Sequence, residues 1–418
     1  PEPRTWPRLL STLLTRTDLS ADDTAWAMRQ VMDDAAEPAQ LAGFLVALRA
    51  KGESAPELRG LLDALMERVI PLPVDGTQVL DIVGTGGDGA HTVNVSTMAA
   101  IVVAATGHPV VKHGGRSVSS KAGSADVLEA LGLPLDLTPD AVARCVNDVG
   151  IGFTFAPRFH HGLRHAVPVR KALSVPTAIN YLAPLTNPAS PGTTLVGCSN
   201  RALAPVLAQV LADRGTRALV VRGDDGLDEI TTTAPTSVWI AAENGVRESA
   251  LDTADFGLDR ATADGLRGGD AHYNATAVHR VLGGERGAAR DAVLANAAGA
   301  LAARRGLDRD GDLRAAFADA LTTVSAAVDN GRAAATLEQW LKLARTLLDA
   351  KRQSLTAGIR GAHNCTAAHR PARSGTDTSR RMRSNRSPRS SSASWGAGSH
   401  PAGGLEPGPN RARTVARA

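Results

Sequence analysis

The sequence predicts an α/β protein with a small N-terminal α-helical domain and a larger α/β domain built on a mostly parallel central sheet. Apolar residues recur with helical periodicity over residues 1–72, which we take as the helical domain. Apolar strands then alternate with helices from Val79 to about Ile240, a pattern typical of a parallel sheet. Alanine-rich helices complete the α/β domain, which we place at residues 73–350.

Helix boundaries in the first domain follow from local patterns. A serine followed three positions later by an acidic residue predicts a capping box, whereas proline favours a helix start and glycine a helix end. These boundary pairs are Ser20 with Asp23, Pro38 with Gly52, and Ser54 with Glu57. The first helix is expected to present one apolar face, formed by Trp6, Leu9, Leu10, Leu13 and Leu14.

Composition limits the class of protein. The 418 residues are 43% hydrophobic and only 3% aromatic, so we expect a large core of alanine, valine and leucine. Cys145, Cys198 and Cys365 lie far apart without CxxC spacing, which argues against a disulfide framework or a zinc site and fits a reduced cytoplasm. No stretch has the pattern of a signal peptide, and the apolar run 98–105 is too short to span a membrane, so no membrane partner is expected.

The C-terminal segment, placed at 351–418, is rich in arginine, serine, glycine and proline. From Thr366 to Ala418 it contains ten arginines, no lysine, one aspartate and one glutamate, a net charge of +8. Because the whole chain carries +4, the preceding residues sum to −4. This composition predicts a disordered tail. Two interpretations of the tail are open: it contacts nucleic acid nonspecifically, or it has no function.

The segment 81–97, DIVGTGGDGAHTVNVST, combines the end of a strand, a glycine-rich loop and the start of a helix. Gly84, Gly86 and Gly87 allow the loop to turn tightly and to bring its N–H groups against a ligand. The residues expected to cap the helix are Asn94, Ser96 and Thr97. Because a helix N-terminus adds further N–H donors and a positive dipole end, the segment predicts a phosphate site.

Two other interpretations of this loop are open. Gly84, Gly86 and Gly89 match the letters of a dinucleotide fingerprint, which is a weak signal alone. A nicotinamide site needs an acidic residue about 20 positions later, but the next strand ends in Lys112, and Asp88 would repel a pyrophosphate unless a cation intervenes. A purely structural glycine turn is the second alternative.

A second block, 112–132, combines cationic and hydroxyl side chains with glycines. Its polar members are Lys112, His113, Arg116, Ser117, Ser119, Ser120 and Ser124, around Gly114, Gly115 and Gly123. Lysine supplies a point charge, arginine binds two oxygens at once, and hydroxyls fill the remaining lone pairs, so the block predicts a second phosphate grip. A solvated basic loop is the alternative.

A third block is acidic and follows the apolar strand ALVVRG. Asp224, Asp225, Asp228 and Glu229 place four carboxylates within six residues. Such crowding favours a hard cation such as Mg²⁺, which binds carboxylates together with phosphate oxygens. An acidic surface turn is the alternative, although two phosphate-binding blocks in the same chain favour the metal.

These motifs occur in the order known from one enzyme family. GTGGD with NVST, KHGxR with SS and GSAD, FAPRFHHGLRHAVPVR, LAPLTNPA and DGLDE resemble anthranilate phosphoribosyltransferases, over about Trp6 to Leu348. The resemblance implies a nucleoside phosphorylase/phosphoribosyltransferase-like fold in which the segment near 168–188 returns to the helical domain. It implies Mg²⁺-dependent transfer of phosphoribosyl from 5-phosphoribosyl 1-diphosphate to the amino group of anthranilate, in tryptophan biosynthesis, by a homodimer formed through the helical domain.

The resemblance also implies roles for individual residues. The donor substrate would be held by Gly84, Gly87, Asp88, Thr92, Asn94, Val95, Ser96, Thr97, Lys112 and Ser124, with His113, Gly114, Gly115, Arg116, Ser119 and Ser120 as further substrate contacts. Two Mg²⁺ ions per subunit would be held by Ser96, Asp228 and Glu229. Arg170 would bind the anthranilate carboxylate, and His160 and Pro184 would line the acceptor's route. The catalytic candidates are Lys112, Arg170, Asp228 and Glu229.

Three departures from the family pattern concern the acceptor side. Gly115 stands where the family usually has asparagine, Ala183 where it usually has glycine, and Pro176 where it commonly has arginine. A different aromatic acceptor is therefore one alternative. A non-catalytic nucleic-acid-binding relative would need a basic groove, and a pyrimidine nucleoside phosphorylase typically shows KHSTGG where this chain has KHGGR.

Overall fold

The computed structural model describes residues 3–117, 121–243, 245–305, 307 and 311–367, with only the helical backbone given for 354–367. The chain divides into two units, Pro1–Gly361 and Ala362–Ala418, and of the second unit only the helical residues up to Ala367 are described. The architecture below is that of the first unit.

The centre of the molecule is a seven-stranded sheet in the order β3-β2-β1-β4-β5-β6-β7. The strands are β1 (Leu80–Gly84), β2 (Val110–Gly114), β3 (Ile151–Phe155), β4 (Thr193–Gly197), β5 (Arg217–Gly223), β6 (Thr236–Ala242) and β7 (Gly245–Leu251). The first five strands in this order are parallel, and β6 and β7 add an antiparallel hairpin at one edge. The predicted mostly parallel sheet is confirmed.

Fifteen helices are assigned in the described part of the chain. They are α1 (Trp6–Leu14), α2 (Ala21–Met32), α3 (Pro38–Lys51), α4 (Ala55–Glu67), α5 (Val95–Ala105), α6 (Ser124–Ala130), α7 (Pro139–Val149), α8 (Ala156–Phe159), α9 (Val167–Leu173), α10 (Ala178–Leu182), α11 (Ala204–Asp213), α12 (Ala271–Leu282), α13 (Ala288–Arg304), α14 (Leu313–Asp329) and α15 (Arg332–Ala367). Short 3₁₀ helices occupy connections, including His161–Ala166 and Ala183–Leu185.

The helix boundaries of the first domain are confirmed. Ser20 and Asp23 form a reciprocal capping box, and α3 begins at Pro38 and ends before Gly52. Glu57 both closes the Ser54 box and accepts the Lys51 ammonium at 2.8 Å. One expectation is wrong: Leu14 is 77% exposed, because the apolar face of the short helix α1 is filled by the side chains that precede it.

The two faces of the sheet bury different cores, as the alternation of side chains along a strand requires. On one face Val196 and Val220 share a core with α11, which contacts β5 and also α4, and this core extends into α1–α4. Residues of the segment around 168–188, such as Ile179, belong to the same core. On the other face Leu195 and Leu219 pack with α5, α13 and α14. Within this segment α9 and α10 contact α3, and α10 also contacts α4.

The C-terminal helix α15 passes the predicted tail boundary at 351 and continues to Ala367. The change of composition near that point does not stop a helix, because the first proline beyond it is Pro371. The rest of the tail, 368–418, lies outside the described residues. Within the described part of the chain, no helix is both long enough and apolar enough to cross a membrane.

Candidate active site

The site lies at the carboxyl ends of β1, β4 and β5, where the strand order of the parallel part of the sheet reverses. Open α/β sheets bind ligands at such a switch point. A Cβ atom on Gly84 would lie 2.3 Å from Asp228 Oδ2, and one on Gly197 would lie 1.6 Å from the Asp228 carbonyl oxygen. Only glycine therefore permits the acidic segment after β5 to lie directly on the ends of β1 and β4.

The glycine-rich loop after β1 presents its backbone to this region. Gly86, Gly87 and Gly89 all have positive φ, between 67° and 85°, which glycine adopts without strain. The Gly86 peptide is held from both sides: its N–H donates to Asp228 Oδ2 at 2.6 Å, and its carbonyl accepts from Ser199 Oγ at 2.8 Å. In the described structure the N–H groups of Gly87 and Gly89 have no acceptor, so the loop retains free donors for an anion.

The N-terminus of α5 follows this loop, but the predicted capping is wrong. Asn94 occupies the cap position without capping, because its amide donates to the Ala122 carbonyl and accepts from Asn274. Among the described residues, Thr97 Oγ1 is buried without a hydrogen-bond partner. The first turn of α5 has no side-chain cap, and the N–H groups of Val95 and Thr97 donate to the carbonyls of Val93 and Asn94. The Ser96 N–H has no acceptor in the described structure, so this donor and the helix dipole are available to a ligand. Thr92, just before it, forms a β-bridge with Arg267.

Lys112 is not an exposed loop cation. It lies within β2, is 2% exposed, and its Nζ donates to the Ile82 carbonyl at 2.8 Å and to Ser96 Oγ at 3.2 Å. Burial lowers the pKa of Lys112 to about 8, although nearby Asp81 opposes this shift. Lys112 therefore links β1 to the first turn of α5 and orients the Ser96 hydroxyl.

His113 is also buried in β2 and is not a cation. Its Nδ1 lies 3.0 Å from both the carbonyl and the hydroxyl of Thr154, and burial lowers the pKa of His113 to about 3. The His160 ring packs edge-on against it at 5.3 Å, and His160 Nε2 donates to the Thr186 carbonyl at 2.7 Å. The Nδ1 atom of His160 is then a buried acceptor that has no partner among the described residues. Pro184 lies two residues before Thr186 and is buried.

The loop after β2 carries Arg116 in a network with acidic side chains: its Nη1 donates to Asp126 at 2.8 Å and to Glu129 at 2.9 Å. A Cβ atom on Gly114 would lie 2.2 Å from Ser124 Oγ, so β2 and the start of α6 are in close contact. A Cβ atom on Gly115 would meet no atom of the described residues within 4 Å. Ser119 and Ser120 lie outside the described residues.

The four carboxylates after β5 separate into two pairs. Asp224 and Asp225 are satisfied locally: Asp224 accepts from Ser237, and Asp225 from hydroxyls of the following turn. Burial and the repulsion of Asp88 raise the pKa of Asp228, and burial with the repulsion of Asp228 raises that of Glu229. In the described chain no basic side chain forms an ion pair with Asp228 or Glu229.

This donor set fits Mg²⁺. Asp228, Glu229 and the Ser96 hydroxyl are hard oxygen ligands, and burial with the mutual repulsion of the carboxylates raises the pKa of both acids, an effect that a bound cation would oppose. The described side chains include no group of three or more acidic, histidine or cysteine residues placed to hold an ion alone. That is the usual situation for Mg²⁺, which keeps waters and takes substrate phosphate oxygens as further ligands.

Arg170 lies on α9 at the helical-domain side. It is partly buried, and its Nε is buried without a hydrogen-bond partner in the part of the chain that the structure describes. Among the described side chains no carboxylate pairs with it, and burial lowers its pKa. A guanidinium in this condition is suited to an incoming carboxylate. It contacts none of the other predicted site residues through a hydrogen bond, so the structure does not itself join it to the donor loop.

Sequence reasoning missed three polar residues of this region. Asp81 is 1% exposed within β1, accepts from the buried Asn187 amide at 2.8 Å, and has its pKa raised to about 6 by burial. Ser199 holds the Gly86 carbonyl. Asp81 could have been found from the sequence, because a carboxylate inside an apolar strand needs a buried partner.

Comparisons with known proteins agree with this geometry. Residues 76–334 match the model of the glycosyl transferase family a/b domain, and residues 7–69 match its helical bundle domain. The anthranilate phosphoribosyltransferase of Salinispora arenicola is 55% identical over 82% of this chain and 98% of its own length. That of Saccharopolyspora erythraea is 53% identical over 81% of this chain and 95% of its own.

Solved structures show the same similarity. The anthranilate phosphoribosyltransferase from Thermus thermophilus has a TM-score of 0.72 at 36% identity, covering 81% of this chain and 99% of that chain. The enzyme from Saccharomyces cerevisiae in complex with PRPP and Mg also has a TM-score of 0.72, at 27% identity, over 82% and 99% of the two chains. Its complex with 4-fluoroanthranilate has a TM-score of 0.70 at 26% identity. Sequence, fold and site together show that this chain belongs to the anthranilate phosphoribosyltransferase family.

Proposed function

We propose that the chain transfers phosphoribosyl from 5-phosphoribosyl 1-diphosphate to the amino group of anthranilate, giving N-(5-phosphoribosyl)anthranilate and diphosphate. The observation that carries this proposal is the juxtaposition of a backbone anion cradle with unpaired carboxylates. Free N–H groups at Gly87 and Gly89 and the uncapped start of α5 suit the phosphate groups. Asp228, bonded to Gly86, brings the acidic pair to the same loop.

Mg²⁺ would be held by Asp228, Glu229 and Ser96, and two ions are expected from the family. When bound, it supplies neutralisation of the diphosphate charge and orientation of the leaving group. The Ser96 hydroxyl already accepts a hydrogen bond from Lys112, which leaves lone-pair capacity on the same oxygen for a cation. Asp224 and Asp225 already accept hydrogen bonds from hydroxyl groups, which supports assigning the metal to Asp228 and Glu229.

The chain's own groups contribute mainly by positioning. The C–O bond to diphosphate breaks as positive charge builds on the ribose, so donors aimed at the leaving group stabilise the transition state. The loop N–H groups serve this purpose. The aniline nitrogen has its lone pair free at neutral pH, so alignment with the anomeric carbon supplies much of the rate. Arg170 would fix that alignment by binding the acceptor carboxylate through its planar fork.

A homodimer through the helical domain belongs to the same proposal. Leu14 on α1 and Val46 on α3 are 77% and 45% exposed, and α1 packs against α3. Large apolar side chains exposed on neighbouring helices suit an interface with a second copy of the chain. Light scattering of the full chain should give the mass of two subunits, and Leu14→Glu with Val46→Glu should halve it, whereas Tyr273→Ser on α12 should not. A monomeric parent chain would contradict the dimer.

Calorimetry tests the donor half of the proposal. Titration of the full chain with 5-phosphoribosyl 1-diphosphate should show binding that strengthens at least several-fold when Mg²⁺ is present. Ribose 5-phosphate, which lacks the diphosphate, is the matched control and should bind much more weakly. Equal binding of both compounds, with and without Mg²⁺, would contradict the assignment of the loop and the acidic pair.

A further inference from the structure

The carboxyl-end halves of β1 and β2 are not joined by an ordinary backbone ladder. Leu80 and Val110 form the only registered pair between these two strands, both of which are described throughout. Beyond that pair the strands are joined by side chains. Lys112 Nζ donates to the Ile82 carbonyl, and Asp81 Oδ1 accepts from the backbone N–H of His113 at 3.3 Å.

Asp81 has a second connection, to the segment that carries the acceptor-side residues. Its Oδ2 accepts from Asn187 Nδ2 at 2.8 Å, and the same amide nitrogen donates to the Val111 carbonyl at 2.7 Å. Asn187 Oδ1 accepts from the Ala189 N–H at 2.9 Å. Asp81 and Asn187 are each 1% exposed. Because water hardly reaches either side chain, each satisfies the hydrogen-bonding capacity of the other.

The pair also borders an incompletely packed region. A cavity of about 110 Å³ is lined by Asp81, Asn187 and Pro184, with Thr194 and Leu211 on other walls. Because the cavity interrupts van der Waals packing, hydrogen bonds contribute more to holding the segment that carries Asn187 in place than they would in a filled core. Immediately before Asn187, Thr186 accepts from His160 and lies 3.4 Å from His113 Nε2.

We propose that Asp81 and Asn187 form a positioning pair that fixes the acceptor-side segment 178–187 against the donor-side strand β2. Neither residue touches a substrate in this account. The pair sets the separation of the acceptor from the donor, and the inference rests on the proposed function above. Misplacement of reacting groups by about 1 Å lowers rates by about 100-fold, so a loosened pair should act on turnover.

The test compares kinetics of full-length variants. Asp81→Asn keeps the shape but turns an amide donor toward the Asn187 donor, and should lower kcat about 10- to 100-fold while the KM of each substrate changes less than about 3-fold. Asn187→Asp should do the same, because it places a carboxylate oxygen against both Asp81 and the Val111 carbonyl. Combining the two changes restores a donor and an acceptor between positions 81 and 187 but leaves the Val111 carbonyl facing a carboxylate, so it should recover part of the lost kcat. Thr194→Val, which alters the same cavity without touching the pair, should leave kcat unchanged.

The outcomes are distinguishable. Single variants that lower the melting temperature but keep the parent kcat would overturn the positioning role, as would a double variant slower than either single variant. If Asp81→Asn does not fold, Asn187→Ala, which removes the link from the segment side, takes its place with the same expected kinetics. An inactive parent chain would overturn the proposed function itself, whereas an active parent with fully active variants overturns this inference alone.

Discussion

Asp228 Oδ2 accepts a 2.6 Å hydrogen bond from the backbone N–H of Gly86, which lies 142 residues earlier in the sequence. The bond joins the acidic segment directly to the anion loop. A cation at Asp228 would compete with this N–H for the same oxygen, and a phosphate would compete with Asp228 for the N–H. Metal and donor binding are therefore expected to be mutually dependent.

Removing the acidic pair should abolish turnover. Asp228→Ala combined with Glu229→Ala takes away the carboxylates that carry most of the metal site's charge, and each lost ligand should weaken Mg²⁺-dependent donor binding several-fold or more. Steady-state rates across a Mg²⁺ titration measure the effect. Asp224→Ala, which removes a neighbouring carboxylate bonded to Ser237, is the control and should keep most activity. Full activity of the double variant at limiting Mg²⁺ would rule out the metal assignment.

Arg170→Ala should separate the two substrates. Loss of a charge-assisted pair in a partly buried site costs about 1.5–3 kcal/mol, so the KM for anthranilate should rise roughly tenfold to hundredfold. The KM for 5-phosphoribosyl 1-diphosphate should change little. Lys171→Ala, which removes the exposed cation beside it on α9, controls for general charge. Equal losses for both substrates would mean that Arg170 supports the shape of the cleft.

Gly115→Asn should alter acceptor affinity alone. A Cβ atom at this position would meet no described atom within 4 Å, so the first atom of the asparagine side chain displaces none of the described residues. We expect the KM for anthranilate to move and the KM for the donor to stay nearly constant, measured with each substrate varied in turn. A comparable change in the donor KM would show that this loop position belongs to the phosphate grip.

Stability should fall on acidification because of buried neutral histidines. The pKa of His113 is about 3 in the folded chain and near 6.5 when unfolded, so between these values the unfolded chain binds more protons. Stability is complete above about pH 6.5 and is lost as the pH falls toward 3, by about 2 kcal/mol at pH 5 from His113 alone. The pKa of His160 is shifted in the same direction. Denaturant unfolding at pH 7.5 and pH 5 measures the loss, which His113→Asn should reduce and His272→Gln should not. A pH-independent stability would contradict a buried neutral His113.

The basic C-terminal segment should be dispensable for catalysis. A chain ending at Ala367 loses the arginine-rich residues and their net charge of +8. Its kcat and KM should match those of the full chain, and any affinity for nucleic acid, which should fall steeply with salt, should disappear. Gel-shift titrations at two salt concentrations measure that affinity. Loss of turnover in a folded, shortened chain would make the segment part of the enzyme.

Local signals were the part of the fold that the sequence could predict. Capping pairs such as Ser20 with Asp23 are decided within four residues, and the strand–loop–helix order around Gly84 is likewise local. The end of α15 was missed because a change in composition is not a helix stop. Leu14 was assigned to the buried face because helical periodicity does not show how wide a face the neighbouring helices cover.

The sequence could not predict the roles of side chains whose partners are distant in the chain. Lys112 and Arg116 looked equivalent in the sequence, yet one is buried against Ile82 and the other is paired with Asp126 and Glu129. The sequence around Asn94 predicts a helix cap, but the Asn94 side-chain oxygen accepts from Asn274, 180 residues away in sequence. In each case the competing partner comes from another element, so spacing alone could not decide the role.

Product analysis of the full chain is the decisive experiment for phosphoribosyl transfer to anthranilate. Protein, Mg²⁺ and 5-phosphoribosyl 1-diphosphate would be mixed with each of the three aminobenzoate isomers, and products identified by mass spectrometry. We expect N-(5-phosphoribosyl)anthranilate and an equal amount of diphosphate from the ortho isomer, and little or no product from the others. Absence of product with anthranilate, or preferential transfer to another isomer, would contradict this expectation.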